Sequence, residues 1–162
     1  MKKYINKTVE FRLVSDEIIK GILIDYSDDW TFIHYNPVDY VLDGYVLIRN
    51  SQIDSYRISN SRIENEIFKI KKDTLFIPIS LKGNFFDFFC VNKLVISIET
   101  SDRSFIIGKI TAIDERGIDF QLLNSKGKWL KERRIQYKKI NKIEFNNDYI
   151  NSLLLVTSSQ DL

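Results

Sequence analysis

The chain has little cysteine, histidine, proline or glycine. Its 162 residues include one cysteine, one histidine, two prolines and six glycines. Because Cys90 is alone, no intramolecular disulfide can form, which is typical of a reducing compartment. Cys90 fits a buried structural role, which we favour, or a reactive thiol. No cluster of cysteine and histidine has the spacing of a zinc site.

Long apolar runs are also absent. No stretch approaches the ~20 apolar residues of a membrane span. The first eleven residues carry lysines but no apolar core of a signal peptide. We therefore predict a cytoplasmic protein without membrane contact. Hydrophobic residues make up 44% of the chain, which is enough for a core and argues against disorder.

Catalytic signatures are missing as well. The sequence contains neither a glycine-rich phosphate loop nor a Gly-x-Ser-x-Gly motif. His34 could act as a general base, but it shares a predicted strand face with Trp30 and Phe32, which favours a packing or surface role. We predict that the protein is not an enzyme and has no catalytic residues, no cofactor and no metal site.

What the chain does contain is an internal repeat. Asn6-Lys7, Ser15-Asp16 and Gly21 in the first half are matched by Asn92-Lys93, Ser101-Asp102 and Gly108 in the second. Ile-Asp pairs and isoleucine pairs continue the match, at Ile24-Asp25 and Ile113-Asp114, Ile48 with Ile53, and Ile135 with Ile140. A repeated unit of this size indicates two copies of one small domain.

Each copy shows the alternation of apolar and polar residues that is typical of half-buried strands. The first copy predicts strands over residues 8–14, 18–26, 30–35, 44–49 and 53–58. The second predicts strands over residues 94–99, 105–113, 118–123, 129–135 and 140–145. Short strands at this spacing predict a mostly β protein with minor helix, built as two tandem five-stranded SH3-like or Sm-like barrels joined by a helical linker.

The linker separates a first barrel at 1–60 from a second barrel with a C-terminal extension at 92–162. Within 61–91, residues 61–72 have helical spacing, and Ser80 is the predicted N-cap of a second helix. That helix places Leu81, Phe85, Phe88 and Phe89 on one face. Four large apolar side chains could form a ligand box, but we favour packing against a barrel. Residues 149–156 predict a last helix or strand.

Charge is distributed unevenly, although the net charge is only +2. Five aspartates form a candidate protein-binding face in the first copy: Asp25, Asp28, Asp29, Asp39 and Asp43. Eight basic and aromatic residues form a candidate nucleic-acid face in the second: Lys126, Lys128, Trp129, Lys131, Arg133, Arg134, Tyr137 and Lys138. Both runs are also compatible with solvated surface. Asp25, Asp28 and Asp29 could hold a cation, but their spacing favours an Asp-rich β-turn.

Two family resemblances follow from these motifs. Ile48-Arg49-Asn50-Ser51-Gln52-Ile53 is similar to the second Sm signature, and Gly21 and Asp25 stand where the first Sm signature has its Gly and Asp. Residues 26–30 lack the Asn that helps Sm proteins read RNA, so the resemblance implies the small barrel more than RNA binding. The layout also resembles an uncharacterised bacterial family through Asp43-Gly44-Tyr45, Gly127-Lys128-Trp129 and Ile135-Gln136-Tyr137. That resemblance carries no known activity that could be transferred to this chain.

These patterns predict a non-catalytic binding module. Its expected partner is another protein. A basic protein that meets the five aspartates is one candidate, as for an immunity-type protein that neutralises a bacterial toxin. The alternative is RNA or DNA binding through residues 126–142, with cations on phosphates and Trp129 and Tyr137 stacked on bases. Trp129 also fits a core position, which we favour.

Overall fold

The computed structural model describes residues 1–39, 41–59 and 79–159. The chain divides into two compact units, Met1–Gly83 and Asn84–Leu162. The predicted boundaries at 1–60, 61–91 and 92–162 stay predictions. The helix predicted over 61–72 lies outside the described residues.

The described residues of the first unit form five antiparallel strands. They are β1 (Thr8–Leu13), β2 (Ile18–Tyr26), β3 (Trp30–Tyr35), β4 (Tyr45–Arg49) and β5 (Ile53–Ile58). Short 3-10 turns occupy Lys2–Tyr4 and Asn50–Gln52. The strands follow the order β5-β1-β2-β3-β4. The apolar alternation therefore predicted every one of these strands to within one residue at either end.

The described part of the second unit forms five more antiparallel strands and two helices. After helix α1 (Phe86–Val91) come β6 (Val95–Thr100), β7 (Phe105–Ile113), β8 (Gly117–Leu123), β9 (Trp129–Gln136) and β10 (Ile140–Phe145). A 3-10 turn at Tyr137–Lys139 joins β9 to β10, and helix α2 (Asp148–Ser159) ends the described chain. The strand order is β10-β6-β7-β8-β9, and the predicted last element is a helix.

The closed barrels expected from the sequence are not formed. Over the described residues the ten strands belong to one open antiparallel sheet rather than to two closed barrels. The prediction of two tandem five-stranded barrels joined by a helical linker is therefore wrong, whereas the mostly β class with minor helix is correct. Alternation identifies strands and their buried face, but closure depends on which strands share hydrogen bonds.

The internal repeat is visible in the backbone. Strands β1, β2 and β5 have the same lengths as their counterparts β6, β7 and β10. Each of these three strands of the second unit also begins the same number of residues after its counterpart in the first. Gly21 and Gly108 occupy matching positions in β2 and β7. A Cβ on either glycine would overlap a carbonyl oxygen of the neighbouring strand, that of His34 or Gln121. The repeated glycine is therefore required by close strand approach.

Each unit has a buried apolar face. In the first unit, the alternating side chains of β1, such as Phe11, pack with Leu23 of β2 and Ile33 of β3. In the second, Ile96, Ile98, Phe120, Ile143 and Phe145 are all buried. The polar side chains between them lie on the opposite sheet face, as period-two alternation requires.

The phenylalanine-rich helix is shorter than expected. It begins at Phe86 rather than at Ser80, because Gly83 has φ of +125° and interrupts the helical backbone. The Asn84 side chain accepts a hydrogen bond from Phe86 N at 3.3 Å at the start of the helix. Four side chains are buried, namely Leu81, Phe85, Phe86 and Phe89, which confirms the packing interpretation for three of the four predicted residues.

Among the described helices, none combines the length and the apolar character needed to cross a membrane. The cytoplasmic location stays a prediction.

Candidate functional site

The first three candidate aspartates surround the turn between β2 and β3. Asn50 holds this turn: its Nδ2 donates to Ser27 O at 2.8 Å and to Asp28 O at 2.9 Å, and its Oδ1 accepts from Thr31 Oγ1 at 2.7 Å. The Asn50 backbone N–H donates to Asp29 O at 2.8 Å. The turn interpretation is confirmed for Asp28 and Asp29, whereas Asp25 lies in β2, and Asn50 serves as the clamp of the turn.

Of these three aspartates, Asp25 has internal partners for its carboxylate, whereas Asp28 and Asp29 are exposed. Asp25 accepts hydrogen bonds from Tyr26 N at 2.8 Å and Leu81 N at 3.4 Å. The Arg49 guanidinium lies over the Trp30 ring at 4.6 Å. Burial lowers the pKa of Arg49, and the charge of Asp29 opposes that shift. One of the carboxylates predicted to meet a partner, that of Asp25, is therefore engaged by hydrogen bonds within the protein.

Asp39 and Asp43 lie at the other end of β3, in its connection to β4. Asp43 N donates to Tyr35 O at 3.0 Å, and Asp39 is exposed. Trp30 and Tyr35 are the two ends of β3. A strand of that length spans about 16 Å, so the five aspartates form two separate groups rather than one face.

The basic candidates lie on and beside β9. Arg134 is engaged by two carboxylates: one guanidinium nitrogen contacts Asp114 Oδ1, and the other lies 3.2 Å from Asp119 Oδ1. Hydrogen bonds from Arg116 N and Arg134 lower the pKa of Asp114. Arg134 therefore contributes less to an anion-binding face than its formal charge suggests.

The two aromatic candidates also have internal contacts. Lys109 Nζ lies 4.5 Å from the centre of the half-buried Trp129 ring. The Tyr137 ring is 4.8 Å from the Phe86 ring, and burial raises the pKa of Tyr137. Neither ring is presented as an open platform, and stacking on nucleic-acid bases requires one.

The other basic candidates are exposed. Lys126, Lys128, Lys131, Arg133 and Lys138 all have solvent-accessible side chains. Arg133, Arg134 and Lys139 line a cavity of about 220 Å³ together with Asp102 and Thr100. The structure thus brings basic side chains together around β9 without a continuous aromatic surface.

The backbone of β9 is itself a feature that the sequence did not reveal. β9 is a terminal strand of the sheet and pairs with β8 on one side. Tyr137 N donates to Arg116 O at 3.2 Å, which makes Gln136 and Gly117 a non-hydrogen-bonded pair. By alternation, Arg134 and Glu132 occupy the next two such positions, so their backbone N–H and C=O point away from β8.

A buried charged group, also missed from sequence, lies on β10 and β6. Lys142 is 4% exposed, and its Nζ is 3.2 Å from Glu99 Oε2 and 3.4 Å from Glu144 Oε1. The same Nζ lies 5.4 Å from the centre of the Phe105 ring. Lys142 and Glu99 face each other across the β10–β6 ladder. Opposite charges on two strands gave no signal before that register was known.

Beside this charged group lies a cavity of about 590 Å³. The described residues that line it come from the five strands β6 to β10, from the β8–β9 connection and from the start of α2, and Glu144 is the one carboxylate among them. Asn147 Nδ2 donates to Glu144 Oε2 at 3.4 Å, and Asn147 Oδ1 accepts from Ile150 N at 2.9 Å. One asparagine therefore both caps α2 and positions Glu144.

The remaining chemical candidates are packed. His34 is 7% exposed, and its ring stacks on Tyr45 at 4.6 Å, as expected for a packing role. Cys90 is half-buried in α1 rather than fully buried. Within the part of the chain that the structure describes, no three His, Cys, Asp or Glu side chains are grouped as metal ligands.

The chain matches no protein-family model, no curated protein and no solved structure. The Sm-like and bacterial-family resemblances stay predictions.

Proposed function

We propose that the protein is a non-catalytic binding module that contacts another protein by adding an extended partner segment to β9. The observation that carries this proposal is the outward backbone of Glu132 and Arg134 on a terminal strand. Main-chain groups at a sheet edge bind an extended peptide by continuing the ladder.

Charge selects the kind of segment. Lys131 and Arg133 are exposed on β9, and Lys126, Lys128 and Lys138 are exposed at its two ends. Complementarity favours an acidic partner segment here. The five aspartates of the first unit lie in two groups, so they support a basic partner less well. The immunity-type role stays a prediction.

The same cations could meet phosphates, which is why nucleic acid is the competing function. The contacts of the two aromatic side chains argue against nucleic-acid binding, since Trp129 lies under Lys109 and Tyr137 lies against Phe86. Arg134 is also paired with two aspartates. Phosphate contacts by the exposed lysines alone would be weak and lost as salt rises.

The test uses a fluorescent peptide of alternating glutamate and valine, and the same peptide with lysine in place of glutamate. Fluorescence anisotropy should show binding of the acidic peptide only. Glu132→Pro removes an outward N–H without breaking the β8 ladder, so it should weaken binding about tenfold. Glu132→Ala is the matched control and should bind as the wild type does.

Two outcomes contradict the proposal. One is failure of the acidic peptide to bind, or binding that Glu132→Pro leaves unchanged. The other is tight binding of single-stranded RNA at physiological salt that is lost in the combined Lys131→Glu, Arg133→Glu and Lys138→Glu variant. That second result would establish the nucleic-acid function instead. Arg134 is left unchanged there because its replacement would break the pairs with Asp114 and Asp119.

A further inference from the structure

The cavity in the second unit has the size and walls of a small-molecule site. Its volume of about 590 Å³ lies within the ~300–1,000 Å³ that is usual for ligand pockets. Phe105, Leu130 and Tyr149 line it while remaining 61%, 46% and 57% exposed. Large apolar side chains left in solvent around a cavity indicate a surface that a ligand covers.

The charge of the cavity wall has one sign. Glu144 lines the cavity, whereas no lysine, arginine or histidine does so among the described residues. The ammonium of Lys142 is shared between Glu144 and Glu99. Two carboxylates around one ammonium leave a negative charge that is not compensated within the group.

That negative charge is accessible from the cavity. The side chain of Glu144 is 29% exposed, compared with 11% for Glu99 and 4% for Lys142. Asn147 fixes the Glu144 carboxylate from the start of α2. The rings of Phe105 and Tyr149 at the same cavity are surfaces to which cations are attracted.

We propose that this cavity binds a small organic cation, an ammonium group carried on an apolar body. The ammonium pairs with Glu144, and the apolar body lies against Phe105, Leu130 and Tyr149. This site uses no backbone group of β9 and does not depend on strand addition.

The test compares three probes of one shape: 4-phenylbutylamine, 4-phenylbutanol and 4-phenylbutanoate. Calorimetry should show the amine binding about tenfold more tightly than the alcohol, because its hydrogen bond to Glu144 is charge-assisted. The carboxylate probe should be repelled. Amide NMR shifts on adding the amine should be confined to residues around the cavity, such as Ser97, Ile107 and Leu123.

Two variants identify the group responsible. Glu144→Gln keeps the shape of the side chain and should reduce amine affinity to that of the alcohol. Leu130→Arg, at a partly exposed position that tolerates a long side chain, should supply an internal cation and weaken amine binding about tenfold. Glu115→Gln, an exposed glutamate outside the cavity, is the matched control and should leave binding unchanged.

The proposal is overturned if the amine and the alcohol bind equally to the wild-type protein, or if Glu144→Gln retains the preference for the amine. It is also overturned if millimolar amine produces neither heat nor shifts around the cavity. Because none of these measurements uses a peptide, they leave the proposal for β9 untouched.

Discussion

At the scale of single residues, Asn50 and Tyr45 have roles that follow from their contacts. The side chain of Asn50 makes three hydrogen bonds to the β2–β3 turn and β3. Tyr45 is buried beside His34 and Phe32. Both residues hold β3 and β4 in place through side chains whose partners are distant in sequence.

We expect Asn50→Ala to lower the free energy of unfolding by about 2–3 kcal/mol, because it leaves several polar groups of the turn without their partners. Urea denaturation of the purified variant measures the loss. Asn151→Ala is the control, since Asn151 is exposed and its one side-chain contact, to Asn146, is 3.5 Å long. Equal losses in the two variants would show that Asn50 is not a clamp.

Tyr45 should make the protein less stable in alkali. Burial raises the pKa of Tyr45 to about 12, from 10 in the unfolded chain. The folded state therefore keeps a proton that the unfolded state has released, so the free energy of unfolding is greatest below pH 10 and falls as the pH rises toward 12.

Urea denaturation below and above pH 10 measures this slope. Tyr45→Phe has no hydroxyl to ionise, so its stability should fall less steeply over the same range. An identical slope in the variant and the wild type would contradict the assignment. Tyrosinate absorbance of the folded protein provides an independent reading, since the variant should lose one late-ionising tyrosine.

At the scale of elements, α1 shows how a glycine moved the predicted helix. The positive φ of Gly83 prevents a helix that begins at Ser80. The helix begins instead at Phe86, whose backbone N–H donates to the Asn84 side chain. The buried face therefore differs from the predicted one: Phe86 is buried, whereas Phe88 is only half-buried. Phe89 remains at the centre, with its ring 5.0 Å from that of Phe145.

This geometry predicts different stability losses for alanine substitutions at two neighbouring phenylalanines. Phe89→Ala should cost about 3–5 kcal/mol, because Phe89 is fully buried. Phe88→Ala should cost only about 1 kcal/mol, since part of its ring stays in water. Val91→Ala is the control at 79% exposure and should change stability by less than about 0.5 kcal/mol. Thermal or urea unfolding that ranks Phe88→Ala with Phe89→Ala would contradict the described helix.

At the scale of the whole molecule, the duplication organises both units. Each has the same strand order, and a 3-10 turn joins the last two strands in each. The two units differ in the side chains that this shared arrangement of strands carries. The first unit has an asparagine-clamped acidic turn, whereas the second has a basic terminal strand and a cavity with one carboxylate.

The duplication predicts matched responses to matched substitutions. Gly21→Ala and Gly108→Ala should each destabilise the protein by about 1–3 kcal/mol, because the added Cβ overlaps a backbone carbonyl that cannot move aside cheaply. Ser152→Ala at an exposed position of α2 is the control. Denaturation of all three variants tests this directly. A tolerated alanine at either glycine would mean that the close approach in that unit is absent.

Much of the local structure was predictable because it depends on neighbours in sequence. All ten strands were located from alternation, and the turn at residues 27–29 from its Asp and Ser content. The position of His34 beside Trp30 and Phe32 predicted a packing or surface role, and the structure shows it buried. The candidate site was predictable only in part, since Arg134 and Tyr137 were named without knowledge of the carboxylates and the phenylalanine that engage them.

The sequence by itself determined the mostly β class, the repeat and the identity of each strand, because the period of apolar residues dictates which backbone can bury them. The tertiary structure alone decided that the sheet is open, that Lys142 meets Glu99, and that β9 directs backbone groups outward. These features depend on which strands pair and in which register. Many different pairings satisfy the same alternation, so only the folded chain selects one of them.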